Sequence, residues 1–136
     1  MNVNVLDRDQ NRIRKWQSSH LPIYEPGLDA VVRAVRDGVI QPCDEKYTAD
    51  PHPTEPNLFF TTDSRGAISQ ADIIFLAVNT PTKTFGQGSG RATHMAAVDG
   101  ATKDVASFAR SGAIIVEKST VPCGTAKRIR QMVRRI

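Results

Sequence analysis

A chain of 136 residues, 40% hydrophobic and 24% charged, is long enough for one domain with a real core and has an ordinary globular composition. No run approaches the roughly 18 apolar residues that cross a bilayer, and Met1 to Asp7 shows no basic segment followed by an apolar one, so neither a membrane span nor a secretory signal is expected. The net charge of +4 gathers in Lys127, Arg128, Arg130, Arg134 and Arg135 without interleaved aromatics, and reads as a solvated helix face, not a nucleic-acid surface. Cys43 and Cys123 match no metal or redox spacing, so no metal site is expected and a reducing cytoplasm is the default compartment.

Val3-Asn4-Val5-Leu6-Asp7 reads as a short strand ending in a carboxylate. Asp9 then caps a helix that carries Ile13 and Trp16 on one side. After the proline-punctuated "SSHLPIYEPGL", a second helix places Leu28, Val31, Val32 and Val35 on one apolar stripe, and Gly38 stops it. Residues 39–57 hold four prolines and scattered charges, which predicts an exposed, mobile insertion. His52 lies in it with no second ligand nearby.

Beyond the insertion the alternation is regular. "NLFFTTD" is a strand, "SRGAISQA" a short helix, and "ADIIFLAV" a strand apolar at nearly every position. A helix from about Thr93 to Arg110 turns Met95, Val98, Val105 and Phe108 inward, and "GAIIV" is the next buried strand. The last helix sets Ile129, Met132, Val133 and Ile136 on one face. Continuous apolar strands predict cover on both faces, the pattern of a doubly wound parallel α/β sheet.

Ligands of such sheets lie outside the carboxyl ends of the strands. Three ends here are polar: Asp7, then Asn79 to Lys83, then Glu117 to Val121. Pro81 and Pro122 break the strands and fix turns, leaving hydroxyls and amides for a ligand. Any single end reads better as a local cap than as a site, since Ser, Thr, Asn and Asp favour turns. The three together point to a nucleotide. "GQGSG" is no dinucleotide motif, because its spacing is wrong and it lies beyond the strand-to-helix turn. A flexible loop that orders over a ligand is the expectation there.

Four motifs, "IYEPGL" at 23–28, "NLFFTTD" at 57–63, "AVNTPTK" at 77–83 and "EKSTVP" at 117–122, resemble the UDP-glucose/GDP-mannose dehydrogenase family, the eukaryotic-type UDP-glucose 6-dehydrogenases most of all. The resemblance covers nearly the whole chain outside 39–57. It implies a cytoplasmic oxidoreductase that uses NAD to oxidise UDP-glucose twice at C6, giving UDP-glucuronate. It places Asp7 on the adenine-side ribose and Arg12 beside the adenosine. Val78, Asn79, Thr80, Pro81 and Thr82 fall in the segment that contacts the dinucleotide. Ser119, Thr120 and Val121 fall beside the nicotinamide, with Thr120 in a supporting catalytic role. Cys123 does not match the family nucleophile.

Relative to the family, residues 1–136 correspond to a partial NAD-binding domain, an incomplete Rossmann-like doubly wound parallel sheet lacking the first strand and its glycine-rich loop. The nucleophilic cysteine and the residues that hold the sugar also fall outside it. The implied chain is a fragment inactive alone, marginally stable, and a poor binder of NAD. The alternative is a non-catalytic relative that binds a nucleotide or pairs with an intact subunit, and homo-oligomers are a further possible partner. A GDP-mannose or other sugar-nucleotide specificity also stays open. Arg8 beside Asp7 leaves a 2′-phosphate conceivable, though the family pattern favours NAD.

Overall fold

The computed structural model describes residues 1–38 and 55–134; the predicted insertion therefore lies outside the described residues except for Glu55, Pro56 and Asn57, and so do His52 and Ile136. The chain divides into two compact units, Met1–Asp63 and a second that begins at Ser64.

In the first unit, strand β1 (Val3–Leu6) pairs in parallel with β2 (Leu58–Thr61), with Val3 opposite Leu58 and Leu6 opposite Thr61. Helices α1 (Gln10–Gln17) and α2 (Leu28–Asp37) lie between them in sequence and pack on β2. Asp9 caps α1 as expected, its carboxylate accepting the Asn11 and Arg12 amides. Ile13, Val32 and Phe60 form the buried centre, and the Trp16 ring stacks on Phe60 at 5.4 Å. Gly38 ends α2 in the left-handed conformation, φ 71°. Val31 departs from its expected place on the inward stripe. It is 61% exposed, because the buried line of α2 runs through Val32, and a neighbour in sequence lies about 100° round the helix.

In the second unit, α3 (Ser64–Ser69) precedes β3 (Ile73–Leu76), followed by α4 (Ala96–Phe108), β4 (Ile114–Glu117) and α5 (Thr125–Val133). Strands β3 and β4 are parallel, with Ile73 opposite Ile114 and Leu76 opposite Glu117. α4 packs against both α3 and α5. The core is Ile68, Leu76, Val98, Val105 and Ile129. Thr102 is buried on the same stripe of α4, its hydroxyl donating to the Val98 carbonyl at 2.8 Å.

The architecture is α/β with short parallel sheets, but the expectation that every strand is covered on both faces does not hold. In the β3–β4 pair, Ile74, Leu76, Ile115 and Glu117 share one face while Ile73, Phe75, Ile114 and Val116 share the other. The first face is packed. On the second, Ile73 is 51%, Phe75 61% and Ile114 58% exposed. Each sheet has two strands among the described residues, so each of the four strands is an edge strand. No helix of the described residues is long and apolar enough to cross a membrane.

Candidate functional site

The carboxyl end of β1 is organised around one carboxylate. The Asp7 amide donates to Thr61 O at 3.2 Å, extending the ladder by one residue. Its Oδ1 accepts the Asp9 amide at 2.9 Å, which fixes the turn into α1. Its Oδ2 accepts Arg12 Nη1 at 2.7 Å, and both side chains remain open to solvent. The structure thus brings together Asp7 and Arg12, which the sequence motifs singled out separately. The hydrogen bond from Arg12, and then the charge of Asp7, push the Arg12 guanidinium above its usual range. Each carboxylate oxygen has a second lone-pair direction, so Asp7 keeps acceptor capacity for a diol.

The carboxyl ends of β3 and β4 form one tied ledge. Ser119 Oγ donates to Leu76 O at 3.1 Å and accepts the Val78 amide at 3.0 Å. Leu76 O also receives the Lys118 and Ser119 amides, at 3.0 and 3.2 Å. Thr80 Oγ1 donates to Thr120 O at 2.8 Å, a second tie across the two ends. Of the predicted binding residues here, Val78, Thr80, Ser119 and Thr120 are therefore bonded to one another. Asn79, Pro81 and Thr82 are exposed on the same segment, Thr120 is exposed, and Val121 is half-buried beside the turn that starts α5. The hydroxyl protons of Ser119 and Thr80 point into the protein, which leaves their remaining lone pairs and the exposed Asn79, Thr82 and Thr120 side chains as the polar groups open at this end.

Glu117 belongs to this ledge and was not among the predicted site residues. Its Oε1 accepts the Ser119 amide at 2.8 Å, and its Oε2 is buried with no hydrogen-bond partner. A carboxylate closing an apolar run was the available signal.

The glycine loop is closed by its own backbone: Lys83 N–H bonds Ala92 O and Gly90 N–H bonds Lys83 O, both at 2.8 Å, and Ala92 N–H bonds Gly88 O at 2.7 Å. Thr82 and Thr93 form an antiparallel bridge at its neck. Gly86, Gly88 and Gly90 all take positive φ, which is why glycine recurs there. Beside it lies a hollow of about 300 Å³ lined by Lys83, Phe85 and His94 among others. Among the described residues no group of three or more His, Cys, Asp or Glu side chains is placed to hold a metal.

Residues 1–136 match the family model described as the UDP-glucose/GDP-mannose dehydrogenase family, NAD binding domain. The chain belongs to that family. Among members of the UDP-glucose/GDP-mannose dehydrogenase family, it is 43% identical over 132 residues to UDP-glucose 6-dehydrogenase of Drosophila melanogaster, covering 97% of this chain and 24% of the relative. It is 41% identical over 131 residues to UDP-glucose 6-dehydrogenase 1 of Glycine max, covering 96% and 24%. The chain thus spans about a quarter of the length of these relatives. Among solved structures, the GDP-mannose dehydrogenase ternary complex of Pseudomonas aeruginosa superposes with a TM-score of 0.73 at 22% identity, over 98% of this chain and 27% of that one. UDP-D-ManNAc dehydrogenase of Pyrococcus horikoshii gives 0.76 at 20% identity, over 98% and 26%. These two likenesses establish a Rossmann-like α/β fold.

Proposed function

We propose that this chain is the cofactor-binding part of a UDP-glucose 6-dehydrogenase, an NAD-dependent enzyme that converts UDP-glucose to UDP-glucuronate in two oxidations at C6. Identities above 40% to enzymes of that name support UDP-glucose over other sugar nucleotides. Because the chain spans about a quarter of those relatives, turnover is assigned to the longer protein and cofactor binding to the residues present.

When bound, NAD supplies the hydride acceptor for each oxidation. The residues of this chain bind and orient. Asp7 accepts hydrogen bonds from a ribose diol, and its negative charge disfavours a 2′-phosphate there. Arg12 keeps that carboxylate aligned, and flanks the adenosine. Val78 to Thr82 offer backbone and side-chain polar groups to the dinucleotide, and Ser119, Thr120 and Val121 do so beside the nicotinamide. Thr120, exposed at its strand end, serves the reacting groups in a supporting role.

The observation that carries this reading is the Asp7 carboxylate, held at the carboxyl end of a parallel strand by the Asp9 amide and Arg12 with acceptor capacity to spare. Calorimetric titration of NAD into the 136-residue chain, with Asp7→Ala beside it, tests it. Losing a charged hydrogen-bond acceptor corresponds to an affinity loss of about tenfold or more. Saturable binding weakened to that degree supports the reading; saturable binding indifferent to Asp7→Ala overturns it.

A further inference from the structure

Leu76 O collects three donors: the Lys118 amide, the Ser119 amide and the Ser119 hydroxyl. A carbonyl has two lone pairs, so the third donor is poorly served. The Ser119 amide is relieved by Glu117 Oε1, its shorter partner at 2.8 Å against 3.2 Å. Once its amide is held, Ser119 presents its hydroxyl to Leu76 O and to the Val78 amide. Three links therefore run from a carboxylate on β4 to the backbone that leads into Asn79–Thr82.

This arrangement is costly in isolation. Glu117 Oε2 is buried and meets no donor, and buried polar atoms left unpaired are few in native proteins. A neutral apolar residue at the end of β4 would avoid that cost, as Ile115 does on the same face two residues earlier. Glu117 shares its cleft with Ile115, Ile129, Arg130 and Arg134, yet its Oε2 accepts a hydrogen bond from neither guanidinium. What a leucine could not do is accept the Ser119 amide.

We propose that Glu117 is a positioning residue of the dinucleotide ledge. It touches no ligand; it acts through Ser119 to fix the peptide plane at Val78 and so the direction of the segment that follows. This inference rests on the NAD reading above, and the test separates the two.

The full chain is titrated with NAD by calorimetry as wild type, Glu117→Ala, Glu117→Gln, Ser119→Ala and the Glu117→Ala/Ser119→Ala pair, while NMR follows amide exchange. Glu117→Ala is expected to raise Kd about tenfold, the loss of one hydrogen bond with its acceptor removed. Glu117→Gln keeps an acceptor for the Ser119 amide and is expected to stay within about threefold of wild type. The double variant is expected to bind no worse than Ser119→Ala, because both changes cut one path. Faster exchange at Val78 and Ser119 in Glu117→Ala, with Ile74 and Ile115 unchanged, is the matching structural signature. Additive losses in the double variant, failure of Glu117→Gln to restore affinity, or unchanged exchange at Val78 would each overturn the proposal. Where the wild-type chain binds no NAD, the exchange pattern decides for or against the Glu117–Ser119–Val78 path by itself, apart from the cofactor reading.

Discussion

Phe75 and Leu76 are neighbours on β3 with opposite fates, 61% and 3% exposed, and truncating each to alanine measures the uncovered face directly. Leu76 is packed among the helices, so Leu76→Ala loses transfer free energy and leaves a cavity, a cost of about 3 kcal/mol. A fully buried Phe→Ala change costs about 3–5 kcal/mol. Only about two-fifths of Phe75 is covered, so its truncation scales to about 1.5 kcal/mol. With a urea m-value of about 2 kcal/mol/M, the unfolding midpoint falls by about 1.5 M for Leu76→Ala and about 0.7 M for Phe75→Ala. Circular dichroism of the chain in a urea series reads both. Equal shifts, or a larger one for Phe75→Ala, would show that the Ile73–Phe75–Ile114 face is buried and would refute the reasoning.

Two further outcomes are expected. Gly88→Ala brings a Cβ to 2.7 Å from Ala92 Cβ at a φ of +83°, whereas Gly86→Ala meets nothing and suffers only from its positive φ. The first should accelerate exchange of the Ala92 amide well beyond the second, whose strain is about 1–2 kcal/mol; matching rates would count against a closed loop. Asp37 is held below the usual aspartate range, first by its paired hydrogen bonds from Arg36, both 2.7 Å, with burial opposing. A carboxylate lowered in the folded state contributes stability in full above its unfolded pKa of about 4, and loses it as pH falls through the lower folded value. Asp37→Asn should therefore flatten the acid limb of the urea midpoint below about pH 4, and an unchanged limb would dismiss the pair as a contributor.

Much of this molecule is legible from local pattern. The Asp9 cap, the Gly38 stop and the inward line of Val98 and Val105 depend on residues within two turns of one another, and they fall where the sequence puts them. The exposure of Ile73, Phe75 and Ile114 was not legible. An apolar run states what a residue prefers, and cover is supplied by elements far away in sequence. The same distance hides the role of Glu117. Its link to Ser119 is local, but its link to Val78 exists only because Leu76 and Glu117 share a register across two strands. Two of the four motifs, at 77–83 and 117–122, span the ledge without revealing that two of its hydroxyl protons are already committed inward. Glycine spacing gave away the loop at 86–90 but not the hydrogen bonds that close it, since backbone hydrogen bonds carry no residue signature.

That loop has a consequence for how its text can be rewritten. Its required letters fall at every second place, Gly86, Gly88 and Gly90, while Gln87 and Ser89 between them are exposed. Handedness is demanded at the odd beats of this rhythm's frame and identity is free on the others. A dye, an affinity handle or a crosslinker belongs on the side chain at 87 or 89, where it leaves the backbone bonds that close the loop untouched.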